Sequence, residues 1–138
     1  MQHDAASNKA LMKAIFDALA QGNGKPFGEA MAEDFCWTLP GSTAWSRSYR
    51  GKDEVRRELL KPLFAQFADT YTNSAQRFIA EDDWVVVQCQ GKVATTSGKR
   101  YDNSYCYVCR LEEGKLKELI EYMDTQLVAD VLVYPSSA

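Results

Sequence analysis

Glu121 stands where a carboxyl group could do acid–base chemistry. It lies in phase with Leu119 and Met123 on a segment of strand-like composition, so the three side chains share one face and the acid interrupts an apolar row. A lone carboxyl against apolar walls resists ionisation, its pKa rises, and it can shuttle protons near neutrality. Two plainer settings fit the same pattern: a structural acid paired with an arginine or held by a tyrosine, and an acid facing solvent.

The four cysteines invite a metal or redox reading through Cys106-x-x-Cys109, with Cys36 and Cys89 elsewhere. That pair falls inside Tyr105–Leu111, a strand by composition, and residues three apart on a strand point to opposite faces. The single histidine, His3, sits in a polar start and cannot complete a ligand set. Four free, mostly buried thiols acting as small apolar residues are expected, with no metal and no disulfide. Asp124, a second conspicuous acid, opens a terminal helix, where an N-cap oxygen accepting backbone N–H groups explains it without chemistry.

The elements that must position these residues follow from spacing. Ser7 or Asn8 can cap a helix with Met12, Ile15, Phe16 and Leu19 on one face, stopped by Gly22 and Gly24. Pro26 suits the first turn of a short second helix carrying Phe27, Ala30 and Met31. Phe35–Leu39 alternates as a strand and ends at Pro40-Gly41. A loop containing Trp45 follows, where no core obliges a tryptophan: it either closes a pocket mouth or enters a dimer interface. Asp53 is the expected cap of a third helix with Val55, Leu59, Leu63 and Phe67 on one stripe, bent at Pro62. The second half reads as a meander of Thr70–Ala80, Trp84–Thr96, Arg100–Leu111 and Leu116–Met123, turning at Asp82-Asp83, Ser97-Gly98 and Glu113-Gly114. A short helix, Gln126–Val133, closes the chain.

Helices first and an antiparallel sheet after is the order of an α+β domain, and 138 residues make a single one, 1–138, with its core at about 8–133. Apolar residues at 46% and charged residues at 25% are an ordinary globular balance. A net charge of −3 without basic runs argues against nucleic acid or an anionic membrane as the main partner. The longest apolar stretches are far too short to span a bilayer, and Met1–Asn8 carries no signal-peptide pattern, so a cytoplasmic protein is expected. A long sheet must curve, and helices on its hollow side leave room for a pocket.

Several strings, taken in order, resemble the nuclear transport factor two-like cone fold, also called cystatin-like. They are Ala32-Glu33-Asp34-Phe35 leading into Trp37-Thr38-Leu39-Pro40-Gly41, then Tyr49-Arg50-Gly51-Lys52-Asp53-Glu54-Val55, then Glu112-Glu113-Gly114-Lys115-Leu116, and last Glu121-Tyr122-Met123-Asp124-Thr125. Within that superfamily the chain is most similar to SnoaL-like and ketosteroid-isomerase-related proteins. The resemblance implies three N-terminal helices packed on a curved, mainly antiparallel sheet with a short C-terminal helix. It covers isomerases, cyclases, epoxide hydrolases, dehydratases and non-catalytic binding modules, so the fold alone does not choose among functions.

The catalytic sets of two relatives are absent. The ketosteroid isomerase oxyanion tyrosine and base align with Ile15 and Leu39, and its protonated aspartate aligns with Cys106. The third-strand pair of limonene-epoxide-hydrolase-like enzymes becomes Gln88 and Gln90, and glutamine cannot take up a proton. Glu121 is the acid that survives where both patterns point into the pocket.

The resulting expectation is a small, mostly apolar ligand in a pocket lined by Trp37, Trp45, Phe64, Cys106, Leu119 and Met123. Glu121 acts there as a lone general acid/base in an isomerisation, cyclisation or dehydration, with no cofactor. Alternatives are a non-catalytic binding or accessory module, and a pure interaction domain whose pocket is filled by its own side chains. If Glu113-Gly114 is a plain two-residue turn, Tyr105 pairs with Tyr122 and Cys106 with Glu121, which puts Tyr101, Tyr105 and Tyr107 opposite Glu121; a bulge would reverse this. The resemblance implies a homodimer through that outer face, with Tyr105, Tyr107 and Tyr122 in the contact.

Overall fold

In the computed structural model, which describes residues 3–135, a cone is built from one sheet and the helices in its hollow. Helix α1 (Ala5–Ala20) starts earlier than the spacing suggests. Asp4 accepts from the Ser7 N–H while the Ser7 hydroxyl accepts from the Asp4 N–H, both at 2.9 Å, a capping box that moves the start upstream. Its face of Met12, Ile15, Phe16 and Leu19 is buried against strands β3 (Thr72–Glu81) and β4 (Trp84–Lys92). Helix α2 (Lys25–Ala30) stops one residue short of Met31, which opens strand β1 (Met31–Thr38). Strand β2 (Ser48–Arg50) pairs with β1, and Gly51, at φ 93°, turns the chain into the next helix.

That helix is not capped by Asp53. Glu54 reaches back instead and accepts from the Arg50 N–H at 2.7 Å. Helix α3 (Lys52–Glu54) widens into a π-helical stretch, Val55–Leu60, and tightens again as α4 (Lys61–Phe64). Pro62 has no N–H to offer the Glu58 carbonyl one turn back, so the regular bond is missing there. The Glu58 carbonyl instead accepts from the Tyr134 hydroxyl at 3.1 Å, which ties the C-terminal segment to the helix.

Strands β5 (Ser104–Glu112) and β6 (Lys115–Met123) complete a six-stranded sheet in the order β2-β1-β6-β5-β4-β3. Only the β1–β6 pair is parallel. Helix α5 (Thr125–Val131) is capped by Asp124, whose carboxylate accepts from the Gln126 and Leu127 N–H groups at 3.0 and 3.3 Å, as the cap reading of that acid requires.

One bulge overturns the expected register. The β5–β6 turn at Glu113-Gly114 is indeed two residues long, both at positive φ, and pairs Leu111 with Leu116. The next partners are Arg110 and Glu118, so Lys117 is an extra residue on β6. Its ammonium leaves the ladder to hold both oxygens of Asp34 at 2.7 Å. From there on Tyr105 pairs with Met123, Cys106 with Tyr122 and Tyr107 with Glu121.

Two expectations are therefore corrected. Tyr101, Tyr105 and Tyr107 are buried in the hollow with Glu121, not on the outer face, while Tyr122 is outside and 51% exposed. Cys106 alternates to the outer face and does not line the cavity. Gln88 pairs with Cys106 and Gln90 with Ser104, so both glutamines also face outward, and the inward side chains of β4 are Val85, Val87 and Cys89. All four cysteines are free thiols, with Cys89 and Cys109 fully inside.

Candidate functional site

The hollow encloses a cavity of about 140 Å³ between the inner sheet face, the α3–α4 helical run and α5. Apolar cavities of about this size accept a single aromatic ring. Of the residues singled out from sequence, Trp37, Trp45, Phe64, Glu121 and Met123 line it. Leu119 shares the Glu121 face but is buried deeper in the core, against Cys109, outside the cavity wall. Trp45 is not an interface residue. It is 2% exposed and packs edge-on against Tyr134 at 4.6 Å.

Glu121 is 7% exposed, and no lysine, arginine or histidine lies among the residues around the cavity. Its Oε1 accepts from the Trp37 indole N–H at 3.0 Å, and Oε2 has no hydrogen bond among the described residues. Burial pushes its pKa up to about 7, while the indole N–H, by favouring the charged form, holds it down somewhat. The acid can thus hold a proton or release it at neutral pH, with Oε2 free for a ligand.

Around it stand four phenols and an amide, three of the phenols being ones that a plain β5–β6 register would place on the opposite face. Tyr71, Tyr101, Tyr105 and Tyr107 line the cavity together with Asn73. Burial raises all four phenols, Tyr101 to about 12 and the others further, so they stay protonated and serve as neutral hydrogen-bonding groups. Asn73 donates from Nδ2 to the hydroxyls of Tyr71 at 3.2 Å and Tyr107 at 3.4 Å. Its own carbonyl oxygen and the Trp45 indole N–H are buried without any partner among the described residues. An orphaned buried group of this kind costs about 1–3 kcal/mol. A sign of the tyrosine face existed in the sequence: Tyr105, Tyr107, Cys109 and Leu111 are uniformly uncharged, whereas the alternate set contains Ser104 and Arg110.

Access is aromatic at one side and strapped at the other. Phe64, 52% exposed, packs on Phe67 at 5.2 Å, and Phe67 stacks on Tyr71 at 5.5 Å, a ramp leading from the rim inward. Helix α5 contributes Val128 to the cavity wall, and Leu132 follows just beyond it. Two side-chain amides fasten that segment at both ends. Asn103 exchanges two bonds with the Asp124 backbone, each 3.1 Å, and Gln66 does the same with Val133 at 2.7 and 2.8 Å.

The family model of the SnoaL-like domain matches residues 12–119. The chain belongs to the SnoaL-like family. Solved structures agree on the nuclear transport factor two-like, cystatin-like fold. Bal32a, from a soil-derived mobile gene cassette, superposes with a TM-score of 0.80 at 18% identity, over 94% of this chain and 98% of its own. A protein of Jannaschia sp. CCS1 assigned as a SnoaL-like polyketide cyclase gives 0.76 at 18% identity, over 99% and 98%. TerC, co-crystallised with polyporic acid, gives 0.73 at 16% identity, over 90% and 96%. No protein of curated function matches this sequence. Among the described residues no helix is long and apolar enough to cross a membrane.

Proposed function

We propose that this SnoaL-like domain binds a small, mostly apolar molecule in the cone and acts on it with Glu121 as a lone general acid/base, in an isomerisation, cyclisation or dehydration. The observation that carries this reading is a single carboxyl group in an apolar cavity, with a pKa near 7 and one oxygen unengaged. A proton moved from one carbon or oxygen of a ligand to another needs only such a group, and no metal or cofactor enters the step. The co-crystal of TerC with polyporic acid supports the idea that this fold accommodates a small organic ligand.

Catalysis and binding separate in one experiment. With a ligand found by thermal-shift screening of steroids, terpenoids, polyketide intermediates and aromatic acids, Glu121→Gln loses turnover by about 10²–10⁴-fold while still binding. Turnover that survives the substitution removes Glu121 from the reaction. The reading as a non-catalytic binding module is favoured by one observation: the cavity holds no second group that titrates near neutrality. The open cavity argues against an interaction domain packed solid with its own side chains.

A homodimer through the outer sheet face is part of the proposal, with its contact redrawn around Tyr122. By register Cys106, Val108, Ile120 and Tyr122 form an apolar patch on that face, and none of the helices packs over it. A monomer by sedimentation at micromolar concentration would remove this part. The four free thiols suit a reducing compartment, and the cytoplasm is the proposed location.

A further inference from the structure

The α1–β3 side of the cavity holds a polar group that acid–base chemistry at Glu121 does not use. Asn73 lies on β3 opposite Gly91 and is 1% exposed. Its amide nitrogen donates to two phenols, Tyr71 and Tyr107. The carbonyl oxygen at the other end has no partner. Turning the amide over would let the two phenols donate to the carbonyl oxygen and leave the amide nitrogen unpaired at the same place, so one polar end of Asn73 lacks a partner in either orientation.

Tyr107 also ties this amide to the acid. It is the direct cross-strand neighbour of Glu121, so Asn73, Tyr107 and Glu121 follow one another along the wall. A ligand lying across the Tyr107 ring can touch both ends of that row. Buried polar groups left unpaired in an empty site are the means by which enzymes reject substrates lacking the matching group.

We infer that Asn73 determines specificity: its carbonyl oxygen accepts a hydrogen bond from a hydroxyl or N–H on a single-ring, otherwise apolar ligand whose carbonyl end meets Glu121. This rests on the small-molecule reading of the cavity, and the test separates the two. Three probes of nearly one shape are used: acetophenone, 4-hydroxyacetophenone and 4-methoxyacetophenone. All carry the carbonyl, and only the second carries a donor at the far end.

Titration calorimetry on the full chain is expected to show 4-hydroxyacetophenone binding about tenfold more tightly than either of the others, the worth of one good hydrogen bond. In Asn73→Leu that ratio falls to about one. Should Asn73→Leu misfold by circular dichroism, Asn73→Ala removes the same carbonyl without adding bulk and serves in its place. Equal binding of all three probes by the wild-type protein overturns the inference and leaves the pocket reading standing. So does a preference for the methoxy compound, or a hydroxyl preference that survives loss of Asn73. No binding of any probe at millimolar concentration overturns both.

Discussion

Strand β5 presents Tyr105, Tyr107 and Cys109 to the hollow and Cys106, Val108 and Arg110 to the outside, and the two sets differ more in surroundings than in chemistry. Inside, Tyr107 is bonded to Asn73 and Glu121 to Trp37, while the Asn73 carbonyl oxygen and the Trp45 indole N–H lack partners among the described residues. Outside, Arg110 is bonded to Glu118 across the strand edge and Gln88 to Arg77, in reach of water throughout. A phenol or carboxyl inside is desolvated and its proton affinity rises, while the same group outside stays ordinary. The make-up of the cavity thus depends on which parity of each strand faces in, and a single residue, Lys117, sets that parity between β5 and β6.

Breaking the parity should have the largest effect. Insertion of one alanine between Leu119 and Ile120 shifts every later residue of β6 by one position, which turns Glu121 outward and drives Tyr122 into the hollow. The expected result is loss of the native fold or a cost above about 4 kcal/mol, read from near-ultraviolet circular dichroism and urea unfolding. A native-like spectrum with retained stability would show that the register of β6 on β5 does not fix which face holds Glu121.

Next in size is the pH dependence conferred by the buried acid. In the unfolded chain Glu121 titrates near 4.5, and in the folded chain near 7. Between those values the folded state keeps a proton that the unfolded state has lost. Stability therefore falls as pH rises from about 4.5 to 7 and levels off above, by about 3 kcal/mol in all. Glu121→Gln lacks this contribution, so the difference between wild type and variant in urea unfolding at pH 4.5 and 7.5 isolates it.

A smaller effect is expected at Gly91, the neighbour of Asn73 across β3 and β4. A Cβ there would lie 2.8 Å from the Tyr71 hydroxyl and 2.9 Å from the Tyr105 ring. Gly91→Ala pushes both rings toward the cavity, at a cost of about 1–3 kcal/mol and with weaker ligand binding. The smallest contrast compares the faces directly. Cys109→Ser places an unpaired hydroxyl in the core and costs about 1–3 kcal/mol, whereas Cys106→Ser on the outer face stays within about 0.5 kcal/mol. Equal costs at the two positions would mean that the faces have been assigned wrongly.

Much of the fold was legible because it is written in short-range signals. The α1 face, the strand meander, the Glu113-Gly114 turn and the Asp124 cap each follow from a few neighbouring residues. The break that Glu121 makes in an apolar row was legible for the same reason, as were Trp37 and Met123 beside it. The α1 start was misplaced by three or four residues because Asp4 and Ser7 form their box upstream of the apolar face. Cys106, Tyr105 and Tyr107 were misassigned because alternation gives parity within a strand and is silent on parity between strands.

By itself, then, the sequence determined the order and type of most elements, though not strand β2 or the π-helical stretch, together with the family resemblance and the presence of one acid among apolar neighbours. Tertiary structure alone decided that four tyrosines and Asn73 share the hollow with that acid. It also supplied the Trp37 indole, 84 positions away in the chain, as the partner of Glu121. The reason is physical: periodicity is a local property of the backbone, whereas the register between strands is settled by hydrogen bonds and bulges that form only when distant segments meet.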